Sequence, residues 1–103
     1  MTLPLHLRQS EAEFQQAIIE YAQARGWLVH AERTARSDKG WRTPVQGDPG
    51  FPDLVLARRE KVVIAELKTQ KGVLKPNQRR WVWATDCYVW RPSDWPQIEE
   101  VLK

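Results

Sequence analysis

The chain has 103 residues, of which 42% are hydrophobic and 28% charged, and its formal net charge is +3. This length supports one hydrophobic core and hence one domain. No apolar run is long enough to span a bilayer, and the first residues lack the layout of a signal peptide, so we expect no membrane partner. The single cysteine, Cys87, excludes an internal disulfide framework and fits a reducing compartment. The modest positive charge permits a nucleic-acid partner without requiring one.

The N-terminal residues 1–9 contain Pro4 and show no sustained period. This predicts a flexible arm ahead of a single domain at 10–103. Ser10 is followed three residues later by Glu13, which is the pattern of a helix capping box. A first helix should therefore begin directly after Ser10.

The first helix should extend to about Arg25 and stop at Gly26. Its apolar positions at helical spacing form one stripe, made of Phe14, Ile18 and Ala22. Glu11 falls on this stripe one turn earlier, whereas Glu13 points away and has a capping role. We expect Glu11 to point along the buried face. The alternative is that Glu11 only interacts favourably with the helix dipole.

A first strand is predicted at 27–31, and a long segment without periodicity follows at 32–48. This segment is basic and contains one aromatic residue; the residues concerned are Arg33, Arg36, Lys39, Trp41 and Arg42. Cations interleaved with an aromatic ring suit phosphate contacts and stacking on an unpaired base. We expect a flap over bound DNA, and the alternative is a solvated loop whose charges serve solubility.

Two runs rich in branched apolar residues, 54–57 and 62–67, are separated by the polar turn 58–61. This pattern predicts a β-hairpin, and the continuous apolar runs predict that its strands are buried on both faces. The chain enters the first of these strands through Pro52, which restricts the backbone there.

Three charged residues interrupt this apolar hairpin. Asp53 lies at the start of its first strand, and Glu66 and Lys68 lie late in the second, where their spacing places both on one face. Buried charges are costly unless they are paired or bind a metal. The two carboxylates are suited to a hard divalent cation, and the ammonium group could hold an anion or a water beside it.

The C-terminal third completes an alternation of helices and strands. Gly72 should end the second hairpin strand, and Pro76 should begin a helix. A strand is predicted at 87–91, and Asp94 should cap a last helix with the apolar stripe Ile98, Val101 and Leu102. This order of elements predicts an α/β fold with a mixed β-sheet flanked by helices.

The sequence resembles a known nuclease family. Pro52-Asp53, followed across the hairpin by Glu66-x-Lys68, resembles the core of the PD-(D/E)xK nucleases. The longer set, with Glu11 ahead of G-F-P-D-L-V-L and A-E-L-K, then Gln78 and Y-V-W-R-P-S-D-W, is similar to the virus-type replication-repair nuclease (VRR-NUC) domain. The resemblance covers about residues 10 to 102. It is weakest at 83–86, where the helix is shorter than in the family.

The resemblance implies a restriction-endonuclease-like core and a Mg²⁺- or Mn²⁺-dependent DNA endonuclease that hydrolyses phosphodiesters. Its implied metal ligands are Asp53, Glu66, Glu11 and the backbone carbonyl of Leu67. Lys68 and Gln78 join the catalytic set. Apart from the resemblance, the cations Lys71, Lys75 and Arg79 after the hairpin are expected to contact DNA; the alternative for Arg79 is that it only covers the helix surface. The resemblance also implies a homodimer that acts on branched DNA such as four-way junctions in DNA repair, in the cytoplasm of a prokaryote or of a virus-infected cell. The alternatives are a DNA-binding module without catalysis and, less well supported by the buried charges, a protein-interaction domain.

Overall fold

The computed structural model describes residues 2–32 and 46–103. In this part of the chain a four-stranded mixed sheet is flanked by helices, which confirms the predicted α/β class. The helices and strands are α1 (Glu11–Ala24), β1 (Leu28–Ala31), β2 (Leu54–Arg58), β3 (Lys61–Leu67), α2 (Pro76–Thr85), β4 (Tyr88–Trp90) and α3 (Trp95–Leu102), with 3-10 turns at Leu5–Leu7 and Pro92–Asp94. None of the helices in these two ranges is long and apolar enough to cross a membrane.

The strands lie in the order β1-β2-β3-β4, so consecutive strands are neighbours. The first three strands are antiparallel, whereas β4 runs parallel to β3. A parallel neighbour requires a crossover connection, and α2 supplies it. The register pairs Leu54 with Ala65 and Leu67 with Trp90. This register decides which side chains of β2 and β3 meet at the end of the hairpin.

The hydrophobic core lies between one face of the sheet and the helices α1 and α3. It contains Phe14, Ile18, Ala22, Trp27, Leu54, Leu56, Val63, Ala65, Leu67, Trp90, Ile98 and Leu102. The predicted apolar stripes of both helices are therefore confirmed, with Val101 partly buried at the edge. The Trp27 indole N–H donates to the Leu102 carbonyl at 2.9 Å, which ties the start of β1 to the end of α3.

The capping box that begins α1 is present as predicted. The Ser10 hydroxyl accepts from the Glu13 backbone N–H at 3.1 Å, and the Glu13 carboxylate accepts from the Ser10 N–H at 3.0 Å. Both bonds lower the pKa of Glu13 from its ordinary value, and the bond from the Ser10 backbone N–H has the larger effect. At the other end Gly26 has φ +84°, a left-handed conformation that glycine adopts without steric cost.

The prediction that the hairpin is buried on both faces is wrong for most of its length. The inner face is buried, but Val62 is 60% exposed on the outer face, and Leu28, on the other side of Ala57 in β1, is 77% exposed. The helices that fill the core, α1 and α3, both pack on the inner face, which leaves branched side chains of the outer face in contact with solvent. Only at the end of β3 are side chains buried on both faces.

The turn of the hairpin is tighter than predicted. Its strands extend to Arg58 and from Lys61, so that Arg59 and Glu60 alone form the turn, both with positive φ (50° and 67°). This is the backbone of a type I′ turn, whose twist matches that of the flanking strands.

The expected cap of the last helix also differs from the prediction. The Asp94 carboxylate accepts from the Arg91 N–H at 2.8 Å and therefore caps the 3-10 turn that precedes α3, while α3 has no side-chain cap. The reason is that the chain turns at Pro92 before α3 begins, which places Asp94 at the end of the turn.

Candidate functional site

The candidate site lies where the open end of the hairpin meets β4. The register that pairs Leu54 with Ala65 sets Asp53 opposite Glu66, one position further along both strands. The Asp53 carboxylate accepts a hydrogen bond from the Leu67 backbone N–H at 2.8 Å. Two carboxyl groups far apart in sequence are thus held beside each other, as the sequence predicts.

Glu66 is the most strongly perturbed acid of the site. Its side chain is only 1% exposed, and its Oε1 has no hydrogen-bond partner among the described residues. Burial raises its pKa from 4.5 to about 8, helped by the hydrogen bond and the negative charge of Asp53 and, to a lesser extent, by Glu11. The Lys68 ammonium opposes this rise in the pKa. The Glu66 carboxyl therefore stays largely protonated at neutral pH.

Lys68 is buried on the same face as Glu66, as its spacing predicts, and is 6% exposed. Its backbone N–H donates to the Trp90 carbonyl at 3.0 Å, which extends the pairing of β3 with β4 past Leu67. Within residues 2–32 and 46–103 the ammonium group forms no ion pair with a carboxylate. A cation buried in this way, close to acids but bound to none of them, is available to an anion that enters the site.

Glu11 does not point along the buried face as predicted, and it does not lie close enough to Asp53 and Glu66 to hold a metal ion together with them. Glu11 lies on the stripe of α1 that continues into the core, but its side chain is exposed because it stands at the first residue of the helix. It still acts electrostatically on Glu66. Leu67 lies beside both carboxylates through its hydrogen bond to Asp53, and the metal-binding role of its carbonyl stays a prediction.

Gln78 has a structural role in addition to the predicted catalytic one. Its Oε1 accepts from the Lys75 backbone N–H at 2.8 Å and so caps the start of α2, where Pro76 is the first residue as predicted. The side chain is half-buried. Its part in catalysis stays a prediction.

The donor set fits a hard divalent cation through two carboxylates. In the described ranges no group of three or more His, Cys, Asp or Glu side chains lies close enough to hold a metal ion. Magnesium, however, is commonly bound by one or two carboxylates together with waters and substrate phosphates. The Oε1 of Glu66, which has no hydrogen-bond partner among the described residues, offers an oxygen donor to such a cation.

Helix α2 fixes the turn that leads into the site. Gly50 has φ +94°, and a Cβ there would lie 2.7 Å from the Asn77 carbonyl carbon, so only glycine permits this approach. The Trp81 indole N–H donates to the Pro49 carbonyl at 3.1 Å. The backbone that enters Asp53 is therefore held from the side by a helix. The sequence marks Gly50 as a close approach but does not identify its partner.

The loop after Lys68 is held by contacts that sequence reasoning did not find. The Gln70 amide donates to the Ser93 hydroxyl at 2.8 Å and accepts from the Ser93 N–H at 2.9 Å. The Arg91 guanidinium reaches the Thr69 carbonyl at 3.4 Å. Gly72 allows this loop to turn back closely on Thr69, since a Cβ there would lie 2.8 Å from the Thr69 Oγ1. No local signal in the sequence pairs these residues.

The residues predicted to contact DNA fall into two groups. Lys71, Lys75 and Arg79 are exposed on the loop and helix that follow Lys68. The predicted flap residues Arg33, Arg36, Lys39, Trp41 and Arg42 lie outside the described residues.

Comparison with known proteins gives no match: no family model, no curated protein and no solved structure matches this chain. The resemblance to the VRR-NUC domain therefore stays a prediction from the motifs.

Proposed function

We propose that the chain is a metal-dependent DNA endonuclease of the PD-(D/E)xK type, with a VRR-NUC-like, restriction-endonuclease-like core. The observation that carries the proposal is the buried Glu66 carboxyl, with the half-buried Asp53 and the buried Lys68 beside it. Burying these charges lowers stability unless they bind something, so a purely structural role does not account for them. Perturbed acids of this kind concentrate at functional sites.

Asp53 and Glu66 would hold Mg²⁺ or Mn²⁺. The resemblance implies the Leu67 carbonyl and Glu11 as further ligands, but Glu11 does not lie close enough to join the two carboxylates in this structure. When bound, the cation supplies Lewis acidity at the scissile phosphate and makes water more acidic. A carboxyl group must be ionised to bind the cation, so binding would displace the proton from Glu66. The hydrogen bond from the Leu67 N–H orients the Asp53 carboxylate.

Lys68 would stabilise the negative charge that develops on the phosphate, or orient the attacking water. Its ammonium group is buried and free of ion pairs in the described part of the chain, so it meets the substrate without first breaking a contact with an acid. A fixed cation in a site shielded from solvent stabilises a developing charge more strongly than it does in water.

DNA as the substrate is supported by the exposed cations Lys71, Lys75 and Arg79, which follow Lys68 in the chain and suit phosphate contacts. The preference for branched DNA, the homodimer and the cytoplasmic, prokaryotic or viral setting rest on the resemblance alone.

The test is the nicking of labelled duplex, single-stranded and four-way-junction DNA in Mg²⁺, Mn²⁺ or EDTA. Asp53→Asn keeps an oxygen to accept from the Leu67 N–H, so we expect a folded protein whose metal-dependent cutting falls by at least about 100-fold. Asp86→Asn is the matched control, because Asp86 is exposed in the left-handed conformation that asparagine tolerates.

Equal cutting by wild type and Asp53→Asn would refute the assignment of the site. DNA binding without cutting in either metal would favour the alternative, a DNA-binding module without catalysis on the same fold.

A further inference from the structure

A second feature of the surface is an open groove of about 730 Å³ between α2 and the residues that precede Gly50. Its lining includes Asp48, Pro76, Arg79, Arg80, Trp81 and Trp83. Trp83 is 88% exposed. A free indole at a surface leaves a large apolar area in water, which is more typical of a binding site than of a bare surface.

The two tryptophans of the groove have different roles. Both border the groove, but they differ in their contacts and in their exposure to solvent. Trp81 packs edge-on against Phe51 at 5.1 Å and donates its indole N–H to the turn before Asp53. The Trp83 indole N–H forms no hydrogen bond with another described residue, unlike those of Trp27 and Trp81. The ring of Trp81 is thus structural, whereas the ring of Trp83 is available to a partner.

The groove also carries two guanidinium groups. Arg79 uses one N–H to reach the Leu74 carbonyl at 3.2 Å, which leaves its other donors free. Neither Arg79 nor Arg80 forms an ion pair in residues 2–32 and 46–103. Asp48 is the acid of the lining, so the groove keeps a net positive charge. An apolar ring beside unpaired guanidinium groups matches a base attached to a phosphate better than it matches an apolar peptide.

We propose that this groove binds an unpaired nucleotide of a DNA strand, with its base stacked on Trp83 and its phosphate at Arg79 and Arg80. The inference rests on the proposed function, because it names the part of a DNA substrate that the site would take. Asp48 precedes Asp53 by five residues, so the groove lies at most about 18 Å along the chain from the carboxylates. That is the length of about five stacked nucleotides, so the groove favours DNA with a single-stranded segment next to the cut.

The experiment measures the affinity of the full chain for a labelled oligothymidylate and for a blunt duplex, both in EDTA so that nothing is cut. Trp83→Ala should weaken binding of the single strand by roughly 5- to 150-fold, which is the range for losing one stacked base. Duplex affinity should change by less than about twofold. Trp83→Phe keeps an aromatic ring and should recover most of the affinity.

Two further measurements make the result specific. Arg80→Gln should reduce the slope of log affinity against log salt for the single strand by about 0.7, the value for one lost phosphate contact. Because Trp83 is exposed, thermal unfolding of Trp83→Ala should match that of wild type, so loss of the fold does not enter the comparison.

Several outcomes would overturn the inference. The first is an unchanged affinity of Trp83→Ala for the single strand, and the second is an equal loss of affinity for the single strand and the duplex. The third is a change in the oligomeric state of Trp83→Ala with DNA binding intact, which would make the groove a contact with a second copy of this chain. Cleavage in Mg²⁺ is measured separately. A wild type that binds the single strand through Trp83 but cuts nothing supports the groove and counts against the nuclease.

Discussion

Replacing Glu66 by glutamine tests the physical basis of the candidate site without relying on any substrate. Glutamine has the same shape, cannot ionise, and can donate to Asp53 as the protonated acid does. The pKa of Glu66 is raised from 4.5 to about 8 in the folded protein, chiefly by burial. Between these two pH values the folded state binds more protons than the unfolded chain, so the free energy of unfolding falls as the pH rises.

The magnitude follows from the width of this pH window. It spans about 3.5 pH units, and at about 1.36 kcal/mol per unit the loss of stability approaches about 5 kcal/mol above pH 8. A domain of this size has a total stability of about 5–15 kcal/mol. Ionisation of Glu66 at high pH should therefore remove a large fraction of the stability of the metal-free protein.

The assay is thermal unfolding in EDTA from pH 5 to pH 9, followed by circular dichroism. At pH 5 we expect Glu66→Gln and wild type to unfold at similar temperatures. Above pH 8 the variant should unfold at least about 10 °C higher, because each kcal/mol shifts the midpoint by about 4–8 °C. Glu99→Gln, at an exposed glutamate of α3, is the control and should follow wild type throughout.

Added Mg²⁺ should raise the midpoint of wild type at high pH and leave Glu66→Gln much less affected, since a ligand that binds only the folded state stabilises it. If the curves of wild type and Glu66→Gln run parallel from pH 5 to pH 9 in EDTA, Glu66 titrates as an ordinary surface acid. That result would refute the inference that burial raises the pKa of Glu66.

Two further predictions concern α2 and the turn beside it. Gly50→Ala should lower the free energy of unfolding in urea by about 3 kcal/mol or more, because the new Cβ combines a positive φ with a contact of 2.7 Å to Asn77. Gly26→Ala is the control: its φ is also positive but it has open space around it, so it should lower the free energy of unfolding by about 1–2 kcal/mol. Equal costs would contradict the close approach. Gln78→Ala should cost about 1 kcal/mol through the lost bond to the Lys75 N–H. If cutting by Gln78→Ala falls only in proportion to the fraction of folded protein, Gln78 has a capping role and no role in catalysis.

The local signals in the sequence were sufficient where the interacting groups are close along the chain. The capping box at Ser10 and Glu13 spans a single turn, and both of its hydrogen bonds are present. The hairpin was predictable for the same reason, since its strands are joined by a short polar turn. Once two strands pair in this way, spacing alone brings Asp53 opposite Glu66 and places Lys68 on the same face.

The errors of the sequence reasoning occur where a decision depends on what packs against an element. Branched residues such as Val62 satisfy the pattern of a strand buried on both faces, but both core helices lie on the other side of the sheet. Asp94 had the spacing of a cap for α3, but the turn at Pro92 uses its carboxylate first. Intrinsic propensity limits which secondary structures a residue can adopt, and packing against other elements decides which of them forms.

The sequence by itself determined the order of the elements, the mixed sheet with flanking helices and the residues that form the charged cluster. It could do so because periodicity, caps and turns act over a few residues. Only the tertiary structure decided that Glu66 is buried deeply enough for its pKa to rise to about 8 and that Trp83, rather than Trp81, faces solvent. Both depend on contacts between segments distant in the chain, because the dielectric environment and exposed area of a side chain are set by its neighbours in space.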